Sequence, residues 1–403
     1  MAVQDKSILS FPLVFLQPVA DVHYVWTALS LHVSPLDENG NELIGRLFND
    51  FGLSEALGQL SCILPVPHPA RFIGEFGAPP PGVNLILRIP VEYCIDPARQ
   101  DLLERLSKMG YGLIADGLPA SKISLLQFPS QVESMAIDCS AGIVPEATGW
   151  LNALRGPHIA DNVSDPVLFD ACRVQGFRWF SGDYPLLPSS TGTQKDAISR
   201  ARLLKLLQLV SRDADVPELE SLLKQDPALS YQLFKLVSSA AFGFSAHITN
   251  FTQAINLLGR RQLQRWLQLL LYARFPGDES ANPLLPRAAA RAALMEALCQ
   301  ELDGDRDEQD RAFIVGMFSL LDTLLGMPLQ TIIEPLRLPD DIVDALMHRG
   351  GRLGRALDVV ERAEYGHIPL RHTDLAQAGV SAEAYCRALI QSYRWASKVS
   401  QEA

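Results

Sequence analysis

An α/β domain followed by an all-α domain is the fold class that this chain of 403 residues predicts. Three observations carry that expectation. Up to residue 184 short apolar runs alternate with helical patterns, beyond residue 197 helical periodicity continues to the end, and between them PLLPSSTGTQ (185–194) gathers proline, serine, threonine and glycine. The expected division is a first domain at 1–184, a linker at 185–197 and a helical domain at 198–403. With 48% hydrophobic and 20% charged residues, both domains have ample material for a core.

Candidate strands in the first domain are LVFLQPV (13–19), ALSLHV (28–33), LILRIP (85–90), GLIAD (112–116), ISLLQF (123–128), SMAIDC (134–139), HIADNV (158–163) and GFRWFS (176–181). Helical stretches fit at 42–58, 98–109, 145–155 and 165–175. This alternation predicts a parallel sheet with helices packed on it, and eight strands suit a barrel. A full (β/α) barrel takes about 250 residues, more than precede the linker, and the gaps 116–123 and 128–134 are too short for ordinary helices. The expectation is therefore an incomplete or degenerate TIM-like (β/α) barrel, with helices missing or shrunken.

In the helical domain, Asp226 is a candidate N-cap with Pro227 at the first helical position. Leu229, Leu233, Leu236, Val237 and Ala240 follow on one apolar face. Gly243 breaks the pattern, Asn250 with Gln253 makes a restart resembling a capping box, and Gly259 separates the next helix, whose inner face carries Leu263, Leu267, Leu270 and Leu271. Further helices run through 287–302 and 312–325, after Pro339, after Gly351 and from Ser381. Grooves between such helices are places for a partner, and Phe242, Phe244 and Phe251 are partner-contact candidates beside core packing.

The formal charge of −11 repels nucleic acid and anionic membrane, so neither is an expected partner. Six cysteines with no CxxC spacing argue against a zinc site and a disulfide framework. No apolar run reaches the ~20 residues that span a bilayer, and the first residues lack a signal-peptide pattern. A cytoplasmic protein with no cofactor is expected.

QDP, then SSAAFG, then ITNFTQAINLLG, in that order between 225 and 259, resembles the HDOD domain. That resemblance implies an all-helical module related to the HD and HD-GYP phosphohydrolases that usually lacks their metal ligands. The first domain resembles the EAL domain through Gln17-Pro18-Val19 with Asp21, Gly110-Tyr111 leading to Ala115-Asp116, Ile137-Asp138, Ala160-Asp161-Asn162-Val163, and Gly176-Phe177 with Gly182 and Tyr184. It implies a barrel that, in active members, hydrolyses cyclic di-GMP with divalent metal ions.

Against that pattern the ligands have largely gone. Phosphodiester hydrolysis of this kind needs carboxylates converging on metal ions that lower the pKa of water. The Glu-Ala-Leu signature falls at Thr27-Ala28-Leu29 or one residue along, the metal-binding Asn falls at Arg88 or another residue of LILRIP, and the paired aspartates become Asp116 and Gly117. Ala136, Asp161, Ser164 and Ser181 stand where the resemblance implies Lys, Glu, Glu and Gln. Asp116, Asp138 and Asp161 survive, either to share an ion or to cap neighbouring helices. The His-Asp pair of HD-type hydrolases falls at Ser319-Leu320, with Asp322 rotated by about 200°.

Three further clusters have bland readings. Asp303, Asp305 and Asp307 have the opening spacing of an EF-hand but Glu308 at the sixth position and Ile314 at the twelfth. His367, His372 and Asp374 sit in a segment interrupted by proline, and Arg260, Arg261 and Arg265 beside Trp266 suit salt bridges or a protein contact. The expected function is a catalytically inactive bacterial signalling protein that is not an enzyme and acts on other signalling proteins, with self-association a further mode. The alternative is a receptor for cyclic di-GMP or another nucleotide that does not hydrolyse it, with Arg88 and Arg178 as phosphate contacts.

Overall fold

The computed structural model describes residues 11–36, 38–119, 128–187, 194–225, 229, 233, 251–272, 282–364 and 370–402. Eight strands close into a barrel in chain order: β1 (Leu13–Ala20), β2 (Trp26–Ser34), β3 (Ser61–Pro65), β4 (Leu85–Pro90), β5 (Gly112–Asp116), β6 (Ser134–Asp138), β7 (Ile159–Asp161) and β8 (Trp179–Phe180). The strand expected at 123–128 lies outside the described residues except for Phe128, which is in a bend. The strand that prediction missed is β3, five residues that begin on serine and end on proline without alternation.

Strands β2 to β8 are parallel to their neighbours, whereas β1 is antiparallel to both β2 and β8. This corrects the expectation of a parallel sheet throughout. A parallel crossover needs a dozen or more residues, and only Asp21 to Val25 separate β1 from β2. The Asp21 carboxylate accepts from the His23 and Val25 main-chain N–H groups at 2.8 and 3.0 Å, closing a tight reversal.

The barrel is thus complete, and the reduction falls on its helical layer. Glu38–Asn49 and Leu53–Leu57 follow β2, Pro69–Phe76 follows β3, Gln100–Lys108 lies between β4 and β5, and Thr148–Ala153 between β6 and β7. Pro166–Gln175 follows β7, with Asp165 accepting from the Leu168 N–H at 2.9 Å and Pro166 at the first helical position. Among the described residues no helix joins β5 to β6.

The helical part is built around Leu284–Glu301, flanked by Arg306–Phe318 and Ala382–Glu402. Ala382–Glu402 also lies on the barrel, where β1 and β2 lack a crossover helix. Its Tyr393 hydroxyl donates to the Leu16 carbonyl at 2.8 Å, and its ring stacks on Trp26 at 5.6 Å. Most of 226–250, including the Asp226 cap and the SSAAFG run, lies outside the described residues, but Leu229 and Leu233 are helical and buried. Among the described residues no helix is long and apolar enough to cross a membrane.

Candidate functional site at the barrel mouth

The site follows from strand alternation. Val19, Ala28, Ile63, Ile86, Ile114, Ala136 and Ile159 form one apolar cluster inside the barrel. Side chains on a strand repeat every second residue, so the next inward positions toward the C-terminal ends are Arg88, Asp116, Asp138 and Asp161. On β2 the same step leads from Ala28 through Ser30 to His32. One apolar floor therefore carries one polar ring.

The Arg88 guanidinium lies between two carboxylates. Its Nη2 donates to Asp116 Oδ1 at 2.6 Å and its Nη1 donates to Asp161 Oδ2. Burial works against the Arg88 charge, but Asp161 and Asp116 outweigh it and raise its pKa. The second oxygen of Asp161 accepts from the Ser181 hydroxyl at 2.5 Å. Asp138 Oδ1 accepts from the Ser140 N–H at 2.9 Å and the Asn162 amide at 3.0 Å. Burial acts to raise the Asp138 pKa, yet these hydrogen bonds outweigh it and hold the carboxyl below its usual range. His32 pairs with Ser30 at 3.0 Å, and burial, helped by the Arg88 charge, lowers its pKa and leaves the ring neutral at pH 7.

Arg88, Asp116, Asp138 and Asp161 are therefore brought together, and Arg178 is not. Arg178 precedes β8 at the opposite end of the barrel, where its Nη1 donates to the carbonyls of Arg173 and Phe177 at 3.2 and 3.0 Å. This corrects its assignment as a phosphate contact. Reading GFRWFS as one strand hid that β8 starts only at Trp179.

Between the mouth and the helical part lies a cavity of about 260 Å³, with Phe15, Gln17, His32 and Asn162 on one side and Arg287 and Arg362 on the other. Arg287 is buried and donates to the Gly182 carbonyl just beyond β8 at 2.5 Å. Arg291, one turn further along the helix and also buried, donates to Glu364 at 3.0 Å and to the Ser319 hydroxyl at 2.9 Å. The position expected for a His-Asp pair thus holds a serine committed to an arginine. His32 and Arg287 were not singled out from the sequence. Alternation from Ala28 was the signal for His32, while Arg287 depends on a contact between distant parts of the chain.

The remaining candidates are tied up locally. Phe242 and Phe244 lie outside the described residues. Phe251 is half-buried against the core with the Lys224 ammonium 5.8 Å from its ring centre. Arg260 donates to the Ala214 carbonyl at 2.7 Å, and Arg261 pairs with Asp310 at 2.6 Å. Asp305 and Glu308 form a capping box, His372 meets the Phe11 carbonyl at 2.9 Å, and His367 is outside the described residues. Among the described residues no three His, Cys, Asp or Glu side chains are grouped to hold a metal ion.

The architecture is a closed eight-stranded barrel followed by a helical region. Within that region a family model for the HDOD domain matches residues 200–325, so an HDOD domain is present. The chain is 26% identical over 368 residues to the cyclic di-GMP phosphodiesterase CdgJ of Vibrio cholerae, covering 89% of this chain and 84% of that protein. It is also 26% identical over 293 residues to the uncharacterized protein YuxH of Bacillus subtilis, covering 70% of this chain and 71% of that one. Among solved structures, the EAL enzyme Bd1971 in its cGMP-bound form is 13% identical with a TM-score of 0.35, over 43% of this chain and 60% of that chain. At that score the likeness adds nothing to the barrel read from strand pairing.

The first of these relatives overturns the expectation that the chain is not an enzyme, whether as an inactive interaction protein or as a receptor without turnover. A relative named as a phosphodiesterase aligns along nearly the whole chain. Counting lost ligands against a family pattern tests only one arrangement of a site.

Proposed function

We propose that this chain is a phosphodiesterase acting on cyclic di-GMP at the barrel mouth. The observation that carries the reading is the alignment with CdgJ over 89% of the chain, which takes in both the barrel and the helical region. The mouth adds a guanidinium, Arg88, held between two carboxylates, and a cavity lined by Arg287 and Arg362. The EAL resemblance implies divalent ions, and the residues do not fit them: Arg88 stands between two of the three carboxylates and the third accepts two hydrogen bonds.

In this reading Arg287 and Arg362, which line the cavity, meet the negative charge of the diester, as positioned cations do for a developing phosphorane, while Arg88 holds Asp116 and Asp161 in place beneath it. Asp138 is the carboxylate of the ring that pairs with no arginine at hydrogen-bond distance among the described residues; in this reading it takes a proton from water as the water oxygen bonds phosphorus, the ester P–O bond breaks, and the leaving ribose oxygen takes up a proton from solvent. A carboxyl held below its usual range is a weak base, so turnover is expected to be slow.

The barrel at 1–184, linker at 185–197 and helical domain at 198–403 remain our proposed division, with other signalling proteins as proposed partners. A reducing, cytoplasmic setting is supported by six free, buried cysteines. The test is chromatography of cyclic di-GMP after incubation with the purified full-length chain, with and without Mg²⁺ or Mn²⁺. A linear dinucleotide that Asp138→Ala abolishes is expected; product at the level of the blank in every condition would overturn the proposal.

A further inference from the structure

We infer that the Arg88 guanidinium is the resident cation of the barrel mouth, taking the place between the β5 and β7 carboxylates that a divalent ion would need, so that the wild-type chain takes no divalent metal there. The deduction is one of ligand accounting. Asp116 gives Oδ1 to Arg88 at 2.6 Å; Asp161 gives Oδ2 to Arg88 and Oδ1 to Ser181. Asp138 has Oδ1 engaged by Ser140 and Asn162, which leaves its Oδ2 and the Oδ2 of Asp116 as the open carboxylate oxygens of the ring. Mg²⁺ requires near-octahedral oxygen ligands at about 2.0–2.1 Å and gives up its water reluctantly. Two open carboxylate oxygens on different strands, one of them on a carboxylate already paired with the Arg88 charge, do not meet that demand.

Arginine also does what a bound ion cannot. It is covalently held by β4, it presents a planar fork that meets two carboxylates at once, and it does not deprotonate in the working pH range. Register delivers it: Arg88 sits two residues above Ile86 of the floor and pairs with Ile114 on β5, two residues before Asp116, so that its long side chain reaches the carboxylates that end β5 and β7. The mouth thus carries its own fixed cation between two of its three carboxylates. The inference concerns metal occupancy and stands apart from the proposed activity, which it deepens in one respect: turnover is expected to survive chelation.

The experiment is Mn²⁺ titration of the full-length chain, followed by the electron paramagnetic resonance signal of the free ion and by calorimetry. Wild type is expected to show no stoichiometric site at millimolar Mn²⁺. Arg88→Asn removes the guanidinium and supplies an amide oxygen, and is expected to bind one Mn²⁺ per chain at least tenfold more tightly. Arg88→Lys keeps a cation and is expected to behave as wild type. A wild-type Mn²⁺ site that Asp116→Ala or Asp161→Ala removes would overturn the inference. So would a folded Arg88→Asn, judged by near-ultraviolet circular dichroism, that binds no better than wild type. The wild-type arm needs no variant to fold. Absent turnover with no wild-type metal site would sink the activity and leave this inference standing; a wild-type site with turnover would do the reverse.

Discussion

Arg287 Nη2 donates to the main-chain carbonyl of Gly182 at 2.5 Å, and this bond joins the central helix of the helical part to the rim of the barrel. Gly182 follows Ser181, whose hydroxyl holds Asp161, which in turn holds Arg88. Arg287→Met keeps the apolar stem and leaves the carbonyl unpaired, at an expected cost of about 1–3 kcal/mol. Urea unfolding of the variant should show a lower midpoint with an unchanged slope. Arg287→Lys should recover part of the loss. If turnover is followed in parallel, Arg287→Met should lower it as well, because the rim that orients Ser181 is loosened.

A second consequence lies one helical turn away. Arg291 is 1% exposed, its Nε is 3.0 Å from both oxygens of Glu364, and its Nη1 reaches Ser319. Removing one partner of a buried pair strands the other charge, typically at about 3–5 kcal/mol. Arg291→Ala should fall in that range in chemical denaturation. Arg291→Met with Glu364→Gln should cost clearly less than the two single changes added together, since it leaves no stranded charge. A double variant as unstable as the sum would mean that the pair does not couple.

Much of this architecture is legible in the sequence, for reasons that differ by element. LILRIP and GLIAD are strands at their expected limits because short apolar runs, the first closed by Pro90 and the second bounded by Gly112 and Asp116-Gly117, are too short for a helix. β3 was illegible because SCILP carries neither alternation nor length. The reversal of β1 was legible in principle, since the short connection to β2 forbids a parallel crossover. At the site, the three aspartates were readable as a group, each ending a strand. Their capture by Arg88 was not, because an arginine at a ligand position reads as loss until register places it on the same inward ring. Arg178 misled for the opposite reason: a two-residue strand puts it at the wrong end.

The barrel also holds a histidine whose tautomer is fixed. His158 Nδ1 accepts from the Met135 N–H at 3.2 Å, so Nε2 carries the proton and donates to the Leu151 carbonyl at 3.1 Å. Burial lowers its pKa, and the carbonyls of Leu151 and Leu154 offset this only in part. The unfolded chain titrates at about pH 6.5. Below that value the unfolded state binds a proton that the folded state refuses, so stability falls as pH drops through 6.5 toward the folded pKa, by at most about 1.4 kcal/mol per pH unit. His32, lowered by burial and by Arg88, acts in the same direction. The melting temperature should be flat between pH 7.5 and 8 and decline from about 6.5 to 5.5, and His158→Gln should reduce that slope even if its own plateau is lower.

Gly316 sets how closely the two central helices approach. A Cβ there would come within 2.6 Å of Ala292 Cα and 2.6 Å of the Arg291 carbonyl oxygen, both main-chain atoms that no rotamer change moves aside. Gly316→Ala improves helix propensity by up to about 1 kcal/mol, so a gain is expected if propensity dominates. Overpacking against backbone costs about 1–3 kcal/mol, and here the Arg306–Phe318 helix must be pushed off Leu284–Glu301 to make room. That shift would also pull Ser319 away from Arg291. Net destabilisation of about 1–2 kcal/mol is therefore expected from these opposing terms, measured by urea unfolding. It should persist in an Arg291→Met background, where the hydrogen bond to Ser319 is already gone but the main-chain contacts remain; a penalty that vanishes there would assign the cost to the lost bond and not to packing.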